Sequence, residues 1–191
     1  EIDALYNVEC VADKLTFTAK SADDNTIVDV SDGNTTIKAD EIKKLIEANK
    51  ANDVVIKSNN DVTFTFAKGT MSEVSQVEIY DFSTVIISDI KEAGNMPENV
   101  TEDIFVYKIV YNYSGMLPAR ASIRLNVGKA YAGQTLYYSQ LLDDGTIISM
   151  MSAIVDNDGY MTVEQDHCST YLITRQQLTS NSTENVTEAA D

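Results

Sequence analysis

The chain has 191 residues, enough for one large domain or two small ones with a buried core that needs no staples. Lys and Arg total 14 against 30 Asp and Glu, a formal net charge of −16. That charge repels phosphate backbones and anionic lipid headgroups, and no apolar run approaches the roughly 20 residues of a bilayer span. The expected partners therefore include no nucleic acid, and no direct membrane insertion is expected. A hydrophobic fraction of 43% argues against disorder. Val, Ile, Thr, Tyr and Phe supply 67 residues against 10 Leu, a balance that favours strands.

Val8 to Ala19 reads as a strand with Leu15 and Phe17 on one face. Thr26 to Val30 and Thr35 to Lys38 read as a hairpin closed by Asp32-Gly33. Asp40 has the chemistry of a helix N-cap, and Ile42, Leu45 and Ile46 form one apolar stripe, so a short helix is expected over about 40–50. Val54 to Lys57 is the next strand. In Val62-Thr63-Phe64-Thr65-Phe66 the apolar residues alternate with threonine, the pattern of a half-buried strand. Thr70 and Glu73 have capping-box spacing, which predicts a helical turn before a strand at Val77 to Tyr80. Strand, short helix, strand would then occur twice, a degenerate repeat.

Thr84 to Ser88 is strand-like, and the charged segment Asp89 to Asn99, with Gly94 and Pro97, follows it. Ile104 to Tyr113 reads as a long strand broken by Gly115 and Pro118, and Ala121 to Val127 as another. Thr135 to Leu142, Thr146 to Met151, Tyr160 to Val163 and Ser169 to Thr174 complete the set, separated by Asp-Gly turns. The expectation is a mainly β (α+β) chain in two β-rich subdomains. Residues 1–83 carry the short helix, residues 84–178 form a sandwich-like module, and residues 179–191 are a polar tail or linker.

The chain has one His, no Trp and two Cys. His167 and Cys168 are neighbours, and adjacent strand residues point to opposite faces, so they make no dyad. No Gly-rich phosphate loop, nucleophile elbow or Cys-x-x-Cys pair occurs. The expectation is no catalytic residue and no cofactor, hence not an enzyme. Asp156-Asn157-Asp158-Gly159 resembles the start of a calcium loop, but Ile154 and Gln165 fill positions where ligands belong. Asp156 and Asp158 are therefore candidates for weak calcium binding only, and a hairpin turn is the plainer reading. Cys10 and Cys168 are a candidate disulfide tying the first strand to the last; two buried thiols are the alternative. His167, Ser169 and Tyr171 fall on one face of the closing strand, a row that would lock it by hydrogen bonds. The other tyrosines read as sheet packing or as a platform for sugars. Sequons at Asn34, Asn99, Asn112, Asn181 and Asn185 arise readily in a chain with 14 Asn and 18 Thr.

Leu136-Tyr137-Tyr138-Ser139-Gln140, Asp144-Gly145-Thr146, Val155 to Val163 and Asp166-His167-Cys168-Ser169-Thr170-Tyr171 form an ordered series. It resembles the C-terminal β module of secreted, uncharacterised surface proteins of Gram-positive, clostridia-like bacteria. Residues 39–66 are similar to the β-helix-β repeats that often precede that module. Gln165-Asp166 before His167 departs from the pattern, and no wall-sorting motif is present. The resemblance implies an extracellular or cell-surface location. The chain opens on Glu1-Ile2-Asp3 with no signal peptide, as expected of a processed protein. The function expected is a non-catalytic surface module, structural or adhesive, binding a host protein, a glycan or a wall component. The alternative is a carbohydrate-binding module of a larger secreted enzyme.

Overall fold

The computed structural model describes the backbone of residues 5–11 and 14–20 and the whole of residues 25–179. Strand accounts for 48% and helix for 11%, so the fold is mainly β, as expected. The first strands are β1 (Leu5–Val11), β2 (Lys14–Lys20), β3 (Thr26–Asp29) and β4 (Thr36–Lys38). Helix α1 (Ala39–Asn49) follows, then β5 (Val54–Lys57), β6 (Thr63–Phe66), β7 (Ile79–Asp81) and β8 (Thr84–Ile87). The later strands are β9 (Phe105–Asn126), β10 (Thr135–Leu141), β11 (Ile147–Ile154) and β12 (Tyr160–Thr174). Ten strands form one mixed sheet in the order β11-β10-β12-β9-β6-β5-β3-β1-β2, with β8 also on β9, and β4 and β7 form a small second sheet.

The sheet runs through the boundary expected near residue 84. Thr63, Phe64 and Thr65 of β6 pair with Arg124, Ile123 and Ser122 of β9. One apolar cluster reaches from Val28 and Leu45 through Phe64 and Ile123 to Met161 and Ile173, so both halves share a core. Each large side chain there contributes about 1.5–3 kcal/mol on burial. A smaller cluster, with Ala93, Phe105, Ile147 and Leu172, lies under the segment between β8 and β9.

Several local expectations are corrected. The segment expected as one strand, Val8 to Ala19, holds parts of two, β1 and β2, which pair antiparallel. β3 pairs in parallel with β1 and β5, while β4 pairs with β7, so Asp32-Gly33 closes no hairpin. The helix is capped at Lys38, whose backbone N–H donates to Glu41 Oε2 at 3.1 Å, and Asp40 lies inside the first turn, where its charge favours the helix dipole. No helix forms at Thr70: its hydroxyl donates to Ala67 O at 2.7 Å instead of capping a following amide, and the next two amides bond to other parts of the fold. Met71 N–H donates to buried Asn49 Oδ1 at 2.9 Å, and Ser72 N–H to Pro118 O at 2.9 Å. The proposed repeat therefore lacks its second helix.

β9 does not end at Gly115 or Pro118. Its odd-numbered residues from Ile109 to Leu125 stay on one face, with Ile109, Tyr111, Leu117, Ala121, Ile123 and Leu125 all buried in the main core. The break appears instead in the ladder to β12. Cys168 faces Gly115 and Thr170 faces Val110, so β9 spends extra residues there, and Tyr111 pairs with Thr84 of β8. The two closing strands expected at 160–163 and 169–174 are one bulged strand, β12.

The turn from β11 into β12 depends on Gly159. Its φ is +91°, and an added Cβ would lie 2.5 Å from the Gly128 carbonyl carbon and the Lys129 nitrogen. Val127 and Gly128 N–H both donate to Gly159 O. Gly133 also has positive φ but open space around it. Gly159→Ala is expected to cost about 2 kcal/mol more than Gly133→Ala, a further fall in Tm of roughly 5 °C. Thermal melts of the two variants check this, and equal melting temperatures would contradict it.

Candidate functional site

The closing strand does not keep the alternation expected of it. Bulges between Gln165 and His167 and between Cys168 and Thr170 shift the side-chain parity twice. Tyr171 therefore leaves the face of His167 and Ser169 and joins Cys168 in the main core. The expected row of His167, Ser169 and Tyr171 is not formed; half-buried His167 contributes its backbone instead, and its carbonyl accepts from Tyr171 Oη at 2.5 Å and from Gln165 Nε2 at 3.0 Å.

Around Cys168 the polar atoms close on one another. Tyr138 Oη donates to Gln165 Oε1 at 2.7 Å and lies 3.3 Å from Tyr111 Oη. The Tyr138 and Tyr171 rings stack at 4.7 Å, and Tyr111 meets Tyr171 edge-on at 5.7 Å. Burial pushes the Cys168 thiol up to about 12 and raises Tyr111, Tyr138 and Tyr171 above the usual phenol range. A nucleophilic cysteine needs the opposite shift. This cluster is a satisfied buried network, which rigidifies a core.

The expected bridge between Cys10 and Cys168 is corrected as well. Cys168 is a buried free thiol. β1, which carries Cys10, is separated in the sheet from β12 by β9, β6, β5 and β3. Side chains of β1 lie outside the described residues.

Asp156 and Asp158 sit in the β11–β12 turn; both Asp156 oxygens are hydrogen-bonded, and the Asp158 carboxylate is exposed. Asp156 Oδ1 accepts from the backbone N–H of Asp158 and of Tyr160, both at 2.9 Å, and Oδ2 accepts from Arg124 Nη2 at 2.9 Å. The Tyr160 N–H bond leads in holding the Asp156 carboxyl below its ordinary range. Asp158 lies 3.9 Å from Lys129 Nζ. No group of three or more candidate ligands gathers among the described residues. The residues fit a hairpin turn, and they do not fit a calcium site.

Arg124 also stacks 3.3 Å over the Tyr160 ring, and Tyr160 Oη donates to Asp61 Oδ2, which accepts from Asn126 as well. Asn60 and Asp61 hold left-handed φ of 55° and 58°, tolerated better by these two residue types than by others. A polar groove of about 560 Å³ opens beside them, lined by Asp29, Lys57 and Asn59 among others. Its asparagines are already committed: Asn59 Oδ1 accepts from Thr84 N–H and Asn60 Nδ2 donates to Thr84 O. The cluster fastens the turn before β6 to β8, β9 and β12.

The feature that sequence reasoning missed lies on β11. Among the described residues this strand ends the large sheet and pairs with β10 alone. Its solvent face carries Ile148 and Met150, each 41% exposed, and Ile154, 68% exposed. From Thr146 to Val155 there is no charged residue, although the chain carries −16. The signal was present as an uncharged run with apolar residues on both faces, Ile147, Met151 and Ala153 on one and Ile148, Met150 and Ile154 on the other. Nothing local marks that run as a sheet edge. Two grooves of about 370 and 360 Å³ meet at Leu142, Asp143 and Thr170 beside the hairpin that opens β11. Tyr111, Tyr138 and Tyr171 are buried, and Tyr107, Tyr113, Tyr131, Tyr137 and Tyr160 are half-buried, which accords with the sheet-packing reading of the tyrosines.

The buried phenols make a pH prediction. Their neutral forms are favoured in the fold, so their contribution is complete below the unfolded value near 10 and is lost as pH rises above it. Base titration followed by tyrosinate absorbance should show these three rings ionising only as the chain unfolds, with the Cys168 thiol unreactive until the same point. Reversible titration near pH 10 with the fold intact would contradict this. No protein-family model, curated protein or solved structure matches this chain.

Proposed function

We propose that this chain is a non-catalytic extracellular surface module, structural or adhesive, that holds a protein partner. The observation carrying this reading is the exposed apolar row Ile148, Met150 and Ile154 on the edge strand β11. Three large apolar side chains exposed along one edge strand, interrupted only by Ser152, are costly in water and are characteristic of protein contact surfaces. The resemblance of residues 136–171 to modules of Gram-positive surface proteins supports the extracellular setting. The buried thiol at Cys168 and the enclosed tyrosine network support a structural rather than reactive use of the residues with the most chemical potential. None of the eight tyrosines from Tyr107 to Tyr171 is fully exposed and three are buried, which favours a protein partner over a glycan, because sugar recognition by stacking needs an open aromatic face.

Binding of the immobilised chain to a panel of extracellular matrix proteins, and to purified peptidoglycan and polysaccharides, tests the proposal. Retention is expected on at least one protein and should weaken about tenfold or more in the Ile148→Lys/Ile154→Lys variant, whose stability should be within about 1 kcal/mol of the parent. Retention on a polysaccharide alone, unchanged in the variant, would overturn it.

A further inference from the structure

We propose that β11 accepts an extended protein segment as an added strand, one with alternating apolar residues and a Lys or Arg beside Asp143-Asp144. This rests on the proposed function above and names the partner's chemistry. Backbone and side chains both argue for it. Val155 N–H donates inward to Gln134 O at 2.9 Å, and Ile154 pairs with Thr135. In an antiparallel ladder the amides alternate in direction, so those of Ile154 and Ser152 face away from β10, where no other described strand lies beside them. Natural sheets usually guard such an edge with Lys or Pro, and β11 has neither. A bulge at Met150 interrupts the ladder, and Met151 to Ile154 beyond it run in regular register.

Charge identifies the occupant. Asp143 and Asp144 form the turn that opens β11, and neither is ion-paired among the described residues. Asp144 Oδ1 accepts the Thr146 N–H at 2.8 Å, which fixes its carboxylate at the strand's entrance. A cationic residue at the end of an added strand would meet this pair, and the chain's −16 charge would steer it there. A second copy fits less well. Antiparallel self-pairing centred on Met151 sets Ile148 against Ile154 but brings Asp144 of one copy towards Asp158 of the other, between two strongly acidic molecules.

The probe is a synthetic peptide of about β11's length, alternating Val and Thr, with Lys at both ends to cover both strand polarities; a matched peptide has Glu at both ends. In low salt the Lys-ended peptide should bind at least about tenfold tighter than the Glu-ended one, and the ratio should fall towards one near 0.5 M salt. It should slow amide exchange at Ser152 and Ile154, and Ile154→Lys should abolish binding without changing the melting temperature by more than a few degrees. Equal binding of the two peptides, or binding unaffected by Ile154→Lys, would overturn the inference. So would a salt-promoted dimer of the free chain that Ile154→Lys dissolves, which would assign β11 to a second copy. If Ile148→Lys/Ile154→Lys still removes matrix-protein retention, the proposed function survives that failure; if retention persists in that variant, the function reading fails instead.

Discussion

Strand β9 is the constraint on which the rest of the molecule hangs. Its 22 residues carry β12 along one edge and both β6 and β8 along the other. Its odd-numbered side chains form a continuous apolar face that the helix-bearing half and the closing half both need. Neither half has a complete core without it. Lys108, Ile109 and Val110 pair with β8 on one edge and with β12 on the other at the same time, which is how one strand serves neighbours on both sides. The polar clasp of Asp61, Asn126, Tyr160 and Arg124 reinforces the same junction from the surface. These exposed contacts are worth little individually and chiefly set the register of the turn before β6.

The sequence was most legible where one period dominated a short segment. Phe64 and Phe66 alternate with threonine, and the strand is where that pattern puts it. Ile42, Leu45 and Ile46 mark the face of α1 just as directly. Legibility failed where tertiary partners outbid local chemistry. Thr70 and Glu73 have capping-box spacing, yet the Thr70 hydroxyl is spent on Ala67 O, and Asn49 and Pro118 hold the next two amides in an irregular segment. It failed again at bulges, because a single extra residue reverses every later side chain. That is why Tyr171 is found with Cys168 rather than with His167 and Ser169. Partner choice was illegible throughout: nothing in Thr26 to Asp29 announces parallel pairing with β1 and β5.

The same limit explains why the candidate site was missed. Ile148, Met150 and Ile154 read as ordinary strand residues, since the run puts apolar residues on both faces and does not single out the face they share. Whether that face meets a core or water depends on the strand's place in the sheet, which is a long-range property. The residues that drew attention for their chemistry, His167, Cys168, Asp156 and Asp158, are used to build the frame. The frame is stiff at β9 and β12 and ends in an apolar edge, an arrangement suited to presenting a preformed strand to a partner at small entropic cost.

The central claim, that both halves fold as one unit around β9, is tested most directly by native-state amide exchange across the described residues in increasing denaturant. The account predicts that the slowest amides of β5 and β6 merge with those of β9 and β12 into a single global opening. Opening of β3 to β6 at a clearly lower free energy, with β9 to β12 still protected, would show two separable units and contradict it.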